Sequence, residues 1–415
     1  MATESTPAPL SAPTVAAGVS GWEAFKNGWF YRFILFPLGQ IFGFILGAAV
    51  ILTLLAYLLA FLIPEPRANI NLAQQVSRQL PDMIIGGVSI GFVYAMIALG
   101  YTLVYGVLKF INFAHSEFFM VGSVVGFEVM QRISNAGEGV LASWNPILLV
   151  IVLVIAGMLV SGTLAVIVER VAYRPLRGAP RLVPLISAIG VSFLLIDVVR
   201  AFAAITRNDF NLTYPINQVP FLQQRPEITL TPESAPLLQF WFTSANRDEI
   251  DIGLRMTSLI IIIAAILMLL VLNWFVNGTK QGRGIRAVSQ DMATAGLMGI
   301  NANLMISLTF FLGGAFGGAA GVLYGMNVGT VTPFVGFIPG LTAFTAAVLG
   351  GIGNMTGALL GGLALGLIET YLNGLLVYFP VLGQRFTPVF TFSVLILVLL
   401  FRPAGILGQK VDEKV

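Results

Sequence analysis

The stretch GFVYAMIALGYTLVYGVLKFINFAHSEFFMVGS, residues 91–123, sets two apolar runs end to end and breaks them once with a short polar corner. The corner holds Lys109, Asn112, the chain's only histidine, His115, and then Ser116 and Glu117. Apolar runs of this length on either side of a charged residue predict membrane-spanning helices at about 84–107 and 111–131.

The rest of the chain agrees. Of its 415 residues, 57% are hydrophobic and 10% charged, and the mean hydropathy is +0.90, more than a soluble chain of this size can bury. Reading outward gives further spans at about 33–63, 147–168, 182–206, 253–276, 304–325, 335–350, 356–373 and 387–401. The expected fold is therefore all-α and polytopic, with about ten transmembrane helices. The run at 335–350 is short and leads into GGIGN, which makes it a candidate broken or re-entrant helix. With no cysteine, the chain has no disulfide, no thiolate ligand and no cysteine nucleophile. The opening MATESTPAPLSAPTVAAGVS reads as a disordered polar tail rather than a signal peptide. The net charge of +3 does not call for a nucleic-acid partner, because an excess of Lys and Arg on the cytoplasmic side accounts for it.

Orientation follows from the loops. ERVAYRPLRGAPR, residues 169–181, carries four arginines against one glutamate, and TKQGRGIRAVSQD, residues 279–291, carries Lys280, Arg283 and Arg286 against Asp291. Both are expected on the cytoplasmic side. The loop between them, from Arg207 to Arg255, has six acidic side chains against four arginines and falls on the other side. The count puts both termini inside, with Lys26 and Arg32 before the first span and Arg402 and Lys410 after the last.

Gly313, Gly317, Gly321 and Gly325 recur every fourth residue, and Gly353, Gly357 and Gly361 repeat the pattern. On a helix this makes a smooth stripe for close approach of another backbone, either within the chain or at a subunit seam or gate. Enzyme signatures are missing: there is no G-x-S-x-G or H-E-x-x-H, and one histidine builds no histidine-rich metal site, so no catalytic residue, metal or cofactor is expected. His115 and Glu117 lie two positions apart and point about 200° away from each other on a helix. The favoured reading of the corner is a structural cap, in which Ser116 and Glu117 accept from the free amides of the third span's start. A proton relay, and a gating or substrate-path role, stay open. Residues 281–303 mix Arg283, Arg286 and Asp291 with Ala293, Ala295, Leu297, Met298 and Ile300, and Gly282, Gly284, Gly296 and Gly299 punctuate them into a short helix with flexible ends. Such an element suits either a grip for a soluble motor or a helix in the headgroup plane. No Walker phosphate-binding sequence occurs, so ATP-driven transport would need an ATPase on another chain.

Residues 91–123, together with VERVAYRPLRGAPRLVPLISAIGVSFLL (168–195), GRGIRAVSQDMATAGLMGIN (282–301) and FRPAGILG (401–408), strongly resemble the permease family of branched-chain amino-acid ABC importers. The likeness is closest to its first permease type, and especially to the permeases of cyanobacterial neutral amino-acid importers. It implies a multi-pass subunit of the bacterial inner membrane. The expected partners are a second related permease, two cytoplasmic ATPase subunits and a periplasmic amino-acid-binding protein. It divides the chain into a tail at 1–32, an extra span and external linker at 33–83, a permease domain at 84–410 and a tail at 411–415. The permease domain holds an external loop at 207–252 and a cytoplasmic coupling region at 279–303. The family's ATPase-docking element matches Gly282, Arg283, Arg286, Ala287, Asp291, Ala295, Gly299 and Ile300. Its signature corner matches Asn112, His115 and Glu117, with Ser116 in place of the usual glycine. If that position needs positive φ, serine is strained; if it starts a helix, serine serves well. Tyr101, Tyr105, Asn112, Ser187, Ser192 and Thr309 are candidates for the translocation path. Relatives that carry urea or short amides keep that cargo open. A proton-coupled carrier would have to draw on His115, Glu117, Asp197 or Glu369, and a purely structural subunit is the third class.

Overall fold

Helices carry almost the whole of the described chain, and the hydropathy runs mark where they lie. The structure, a computed structural model, describes residues 31–66, 70–137, 139–180, 182–233, 243, 245–246, 249–379, 383–401 and 405. The expected tails, Lys26, Arg181, Arg402, Lys410 and most of FRPAGILG lie outside these. The chain divides into two compact units, Met1–Phe42 and Gly43–Val415.

Ten helices stand where ten apolar runs were read: α1 (Phe36–Leu62), α2 (Leu72–Leu108), α3 (His115–Asn135), α4 (Pro146–Val168), α5 (Leu182–Arg207), α6 (Met256–Gly278), α9 (Ala302–Val328), α10 (Phe337–Gly350), α11 (Met355–Leu376) and α12 (Thr387–Phe401). Two more, α7 (Lys280–Gln290) and α8 (Met292–Leu297), lie between α6 and α9. Seven are long and apolar enough to cross a membrane: α1, α2, α5, α6, α9, α11 and α4 with its continuation to Leu176. Of the other three, α3 carries Glu117, Glu128 and Arg132, and α10 and α12 have 14 and 15 residues. At 1.5 Å per residue α10 is about 20 Å long, well short of the roughly 30 Å hydrocarbon core.

Local chemistry sets the ends. α2 begins twelve residues before the hydropathy reading places it, because Asn71 caps it by accepting from the Gln74 amide at 3.1 Å. Polar Gln74, Gln75 and Arg78 hide this first part from a hydropathy window. It ends where Lys109 takes left-handed backbone (φ 56°) and donates its amide to the Tyr105 carbonyl. Asn145 caps α4 with Pro146 in its first turn, where a missing N–H costs nothing.

α2 and α9 form the centre, about four-fifths buried, while α1, α4, α5 and α6 turn Leu54, Ile151, Leu194, Ile263 and similar residues outward as lipid-facing spans do. The glycine stripe lies inside the chain. Gly313 and Gly321 of α9 meet Gly100 of α2 and Phe119 of α3, and Gly314 and Gly318 meet Ser161 and Gly157 of α4. Close helix approach in lipid draws on dispersion rather than water release, so each removed side chain counts. α1 packs its alanine face, with Ala49, Ala56 and Ala60 buried, and hydrogen-bonds Tyr371 through Thr53 (2.9 Å) and Ser77 through Tyr57 (2.7 Å).

The short strand β1 (Leu212–Thr213) pairs antiparallel with β4 (Thr330–Val331), and β2 (Glu227–Leu230) pairs with β3 (Ile250–Gly253). The first pairing ties the acidic loop to the α9–α10 connection, at the end of the molecule opposite α7 and α8.

A methyl group at Gly314 would fall 2.5 Å from Ala165 Cβ and 2.8 Å from the Ser161 carbonyl, whereas one at Gly106 meets nothing. Gly314→Ala is expected to lower stability by about 1–3 kcal/mol. Gly106→Ala should hold or slightly raise it through better helix propensity. Thermal unfolding of the two purified variants in detergent measures the contrast.

Candidate functional site at the junction of two helix starts

Two helices begin inside the protein, and their first turns meet. Residues 109–114 leave the helical path, and α3 starts only at His115, whose ring stacks on Tyr101 with centroids 4.6 Å apart. Tyr101 lies seven residues, about 10 Å, back from the end of α2. His115 also lies beside Gly313, some 16 Å along α9 from its start. From the opposite end of α9, residues 329–336 come back inward. α10 then starts with Gly336 against the Ser116 carbonyl and the Glu117 carboxylate, and Gly340 against Ser116 Cβ. α10 is therefore the inner half of a broken span, and the corner sits near mid-height of α9, not at the surface where the turn between two spans was expected.

The capping reading of the corner needs correction. Ser116 Oγ donates to the Phe113 carbonyl at 3.1 Å and to Glu117 Oε1 at 3.0 Å. Asn112 does the capping work, its Oδ1 accepting from the Ala114 amide (3.1 Å) and from Tyr173 Oη (2.7 Å). Neither α3 nor α10 has a side-chain cap on its first turn. The His115 and Glu117 amides donate to the Asn112 and Ala114 carbonyls and the Phe337 amide to Phe334, and Pro339 has no N–H, so what the two starts share is the positive end of the helix dipole. Ser116 has ordinary helical backbone, which settles the glycine question: it is unstrained, and its Cβ fits because residue 340 opposite is glycine.

Between these starts and α5 lies a cleft of about 180 Å³, lined by Tyr101, Phe113, Ser116, Glu117, Ile189, Ser192, Phe193, Ile196, Phe337, Leu341 and Phe344. Its polar focus is Glu117, 1% exposed, which takes a second hydroxyl on Oε1 from Ser192 at 2.8 Å. Oε2 is buried and has no hydrogen-bond partner among the described residues. Beyond the cleft, toward α7 and α8, Phe344 packs on Tyr101 and Phe113 with centroids 5.8 and 5.9 Å apart. Past that cluster a void of only about 10 Å³ is lined by Tyr105, Asn112, Ala347 and Ile352. Of the six path candidates, Tyr101 and Ser192 line the cleft and Tyr105 and Asn112 line the void. Thr309 is bonded to its own helix at Met305, and Ser187 lies on α5 outside both. Of the candidate relay groups, Asp197 is exposed and paired with Arg200, and Glu369 accepts from Tyr94 Oη at 2.8 Å.

The 281–303 segment is two helices rather than one short helix with glycine ends. Gly282 and Gly284 lie within α7, packed against Val276 and Met305. Asp291 closes α7 and caps α8, accepting from the Ala293 amide (2.8 Å), the Thr294 amide (3.1 Å) and the Thr294 hydroxyl (2.7 Å). These bonds, the hydroxyl first, hold its carboxyl below the usual aspartate range. Gly299 has φ 80°, which favours glycine, and Ala295 is buried while Ile300 is half-buried. Arg283 and Arg286 are exposed, with Arg286 on Asn277 at 2.5 Å, and Ala287 is half-buried. At the tip, Leu297 and Met298 stand 89% and 79% exposed.

One cluster escaped the sequence reading. Fully buried Glu169 accepts from Arg174 and Arg177 and from Ser307 at 2.7 Å, and Arg177 reaches Asn303 at 2.6 Å. It joins the end of α4 to the start of α9, so both basic segments lie on one face. The spacing of Glu169 to Arg174 is not a helical i, i+4 pair, and a π-turn at Glu169–Tyr173 makes the contact.

The branched-chain amino acid transport system / permease component family matches residues 83–400, and the chain belongs to that family. It is 38% identical to the high-affinity branched-chain amino acid transport system permease protein BraD of Pseudomonas aeruginosa, over 80% of this chain and 97% of that protein. It is 36% identical to LivH of Escherichia coli K12, a permease protein of the same description, over the same shares. A probable branched-chain amino acid transport permease protein of Methanocaldococcus jannaschii is 25% identical over 75% of this chain and 88% of its own length. No solved structure matches.

Gly340→Ala places a methyl group against Ser116 Cβ, and transport activity is expected to fall. Ser116→Gly should recover much of the loss in the double variant by removing the opposing Cβ, while alone it costs only the part owed to its hydroxyl on Glu117, and a double-mutant cycle of uptake rates measures the coupling. At α8, Asp291→Ala is expected to speed amide exchange at Ala293 and Thr294 several-fold, whereas Asp291→Asn should not. Because the Asp291 pKa is lowered by folding, this protection is full above the ordinary aspartate pKa and is lost as pH falls through the depressed one. Exchange followed by mass spectrometry across that window checks the sign.

Proposed function

We propose that this chain is the membrane subunit of an ATP-driven importer that moves neutral or branched-chain amino acids delivered by a periplasmic binding protein. It contains no catalytic residue of its own. In this reading a second, related permease sits beside it, two ATPase subunits bind from the cytoplasm, and the chain lies in the bacterial inner membrane with both termini inside. The observation that carries the reading is the platform made by α7 and α8. It exposes Leu297 and Met298 beside Arg283 and Arg286, while its inner side packs on the start of α9 through Gly284 and Met305. A soluble protein pressing on the outer side would therefore push directly on α9, whose Gly313 packs against His115 of the corner. The names of BraD and LivH supply the cargo class, and the basic face formed by residues 169–180 and 280–286 supplies the cytoplasmic orientation.

Reconstituted with its partner subunits, the chain should support uptake of a neutral amino acid and ATP hydrolysis stimulated by the loaded binding protein. Arg286→Glu and Leu297→Asp are each expected to abolish both while the chain still folds and inserts. Uptake by the isolated chain in vesicles with a proton gradient and no ATPase would overturn the proposal.

A further inference from the structure

We infer that the cleft where α3 and α10 begin holds the ammonium end of an amino-acid solute, with Glu117 Oε2 as its partner. The inference deepens the importer reading and rests on it.

Glu117 is half used. Its Oε1 takes the hydroxyls of Ser116 and Ser192 at 3.0 and 2.8 Å, while Oε2 is buried without a partner. A buried carboxylate oxygen left bare is costly; the Tyr101 hydroxyl, the other donor in the lining, makes no hydrogen bond to Oε2, and Phe113, Ile189, Phe193, Ile196, Phe337, Leu341 and Phe344 offer none. Acidic side chains kept inside a membrane protein mark the passage of something that pairs with them. A transient cation from the solute is such a partner. The positive ends of the two helix dipoles favour negative charge at the same place, so they support the ionised Glu117. Gly336 makes this convergence possible, since a Cβ there would fall 2.7 Å from the Ser116 carbonyl and 3.1 Å from Glu117 Oε2. At about 30 Å³ per water, the cleft has room for roughly six, enough for a small solute.

The arrangement is selective by charge. One carboxylate balances one ammonium, and the apolar wall accepts an aliphatic side chain. A basic amino acid would bring a second cation with no second acid in the lining, and an acidic one would set a further anion against phenyl and branched alkyl groups. Urea and short amides carry no cation for Oε2.

The absence of cysteine makes the test direct, because Phe193→Cys introduces a single thiol at the cleft. In the assembled transporter in lipid vesicles, saturating L-leucine should slow thiol labelling. 4-Methylpentanoate, the same skeleton without the ammonium group, and urea should not. Adding Glu117→Gln should remove the protection. Glu117→Gln alone should lower leucine uptake about tenfold or more while binding-protein-stimulated ATP hydrolysis stays near the parental rate, and Glu117→Asp should recover part of the uptake. Equal protection by 4-methylpentanoate, or unchanged uptake in Glu117→Gln, overturns the inference. If Glu117→Gln does not assemble, Ser192→Ala, which strips one hydroxyl from Oε1, should weaken leucine protection about threefold, and unchanged protection overturns the inference equally. A parent that takes up no amino acid at all would instead overturn the importer reading, so the two failures are separable.

Discussion

A backbone amide or carbonyl in hydrocarbon must find its partner within the protein, and two stretches of this chain leave the helix where that rule applies. Residues 109–114 and 329–336 are the unwound segments, and the rest of the structure shelters them. Asn112 closes the first onto the Ala114 amide and is itself held by Tyr173 from the far end of α4. The second is tied at one end by the Tyr214 amide on the Gly329 carbonyl and by the β1–β4 pairing, then tightens through Val335 on Thr332 and Phe337 on Phe334. The central helices α2 and α9 supply the walls, and their glycines let those walls come close enough to exclude lipid.

This constraint joins the fold to the site. A helix that starts within the protein turns the positive end of its dipole there, and two such starts at one place make a local field favourable to anions without a single basic side chain. Glu117 sits in that field with Ser116 and Ser192 on one oxygen. The platform at α7 and α8 stands at the base of α9, whose middle touches His115 and whose far end feeds the broken span. A tilt of α9 thus reaches both unwound segments together.

Much of this was legible in the sequence. The ten apolar runs located ten helices, because hydrophobic length reports directly on membrane spans, and of the two readings offered by the shortness of 335–350, broken or re-entrant, the path of α10 fits the broken one. The corner at Asn112 to Glu117 stood out for its polarity. Its depth did not, since hydropathy reads 111–131 as one continuous span and is blind to where helical geometry begins. The cap assigned to Ser116 failed for the same reason: its hydroxyl bonds the carbonyl three residues back and Glu117 instead of a free amide. Glu169 was read as a minor charge in a basic loop, and only the π-turn brings two arginines onto it. The extra first span showed its apolar length but not its alanine face, because small residues in a hydrophobic run carry no polarity signal.

The aromatic cluster of Tyr101, Phe113 and Phe344 has an electrical meaning. Beyond it the void holds about 10 Å³, no more than a single water can occupy. A proton wire needs a file of touching waters, and a void of this size holds no such file. While the three rings stay packed, this point is therefore as tight to a proton relayed through water as it is to a solute.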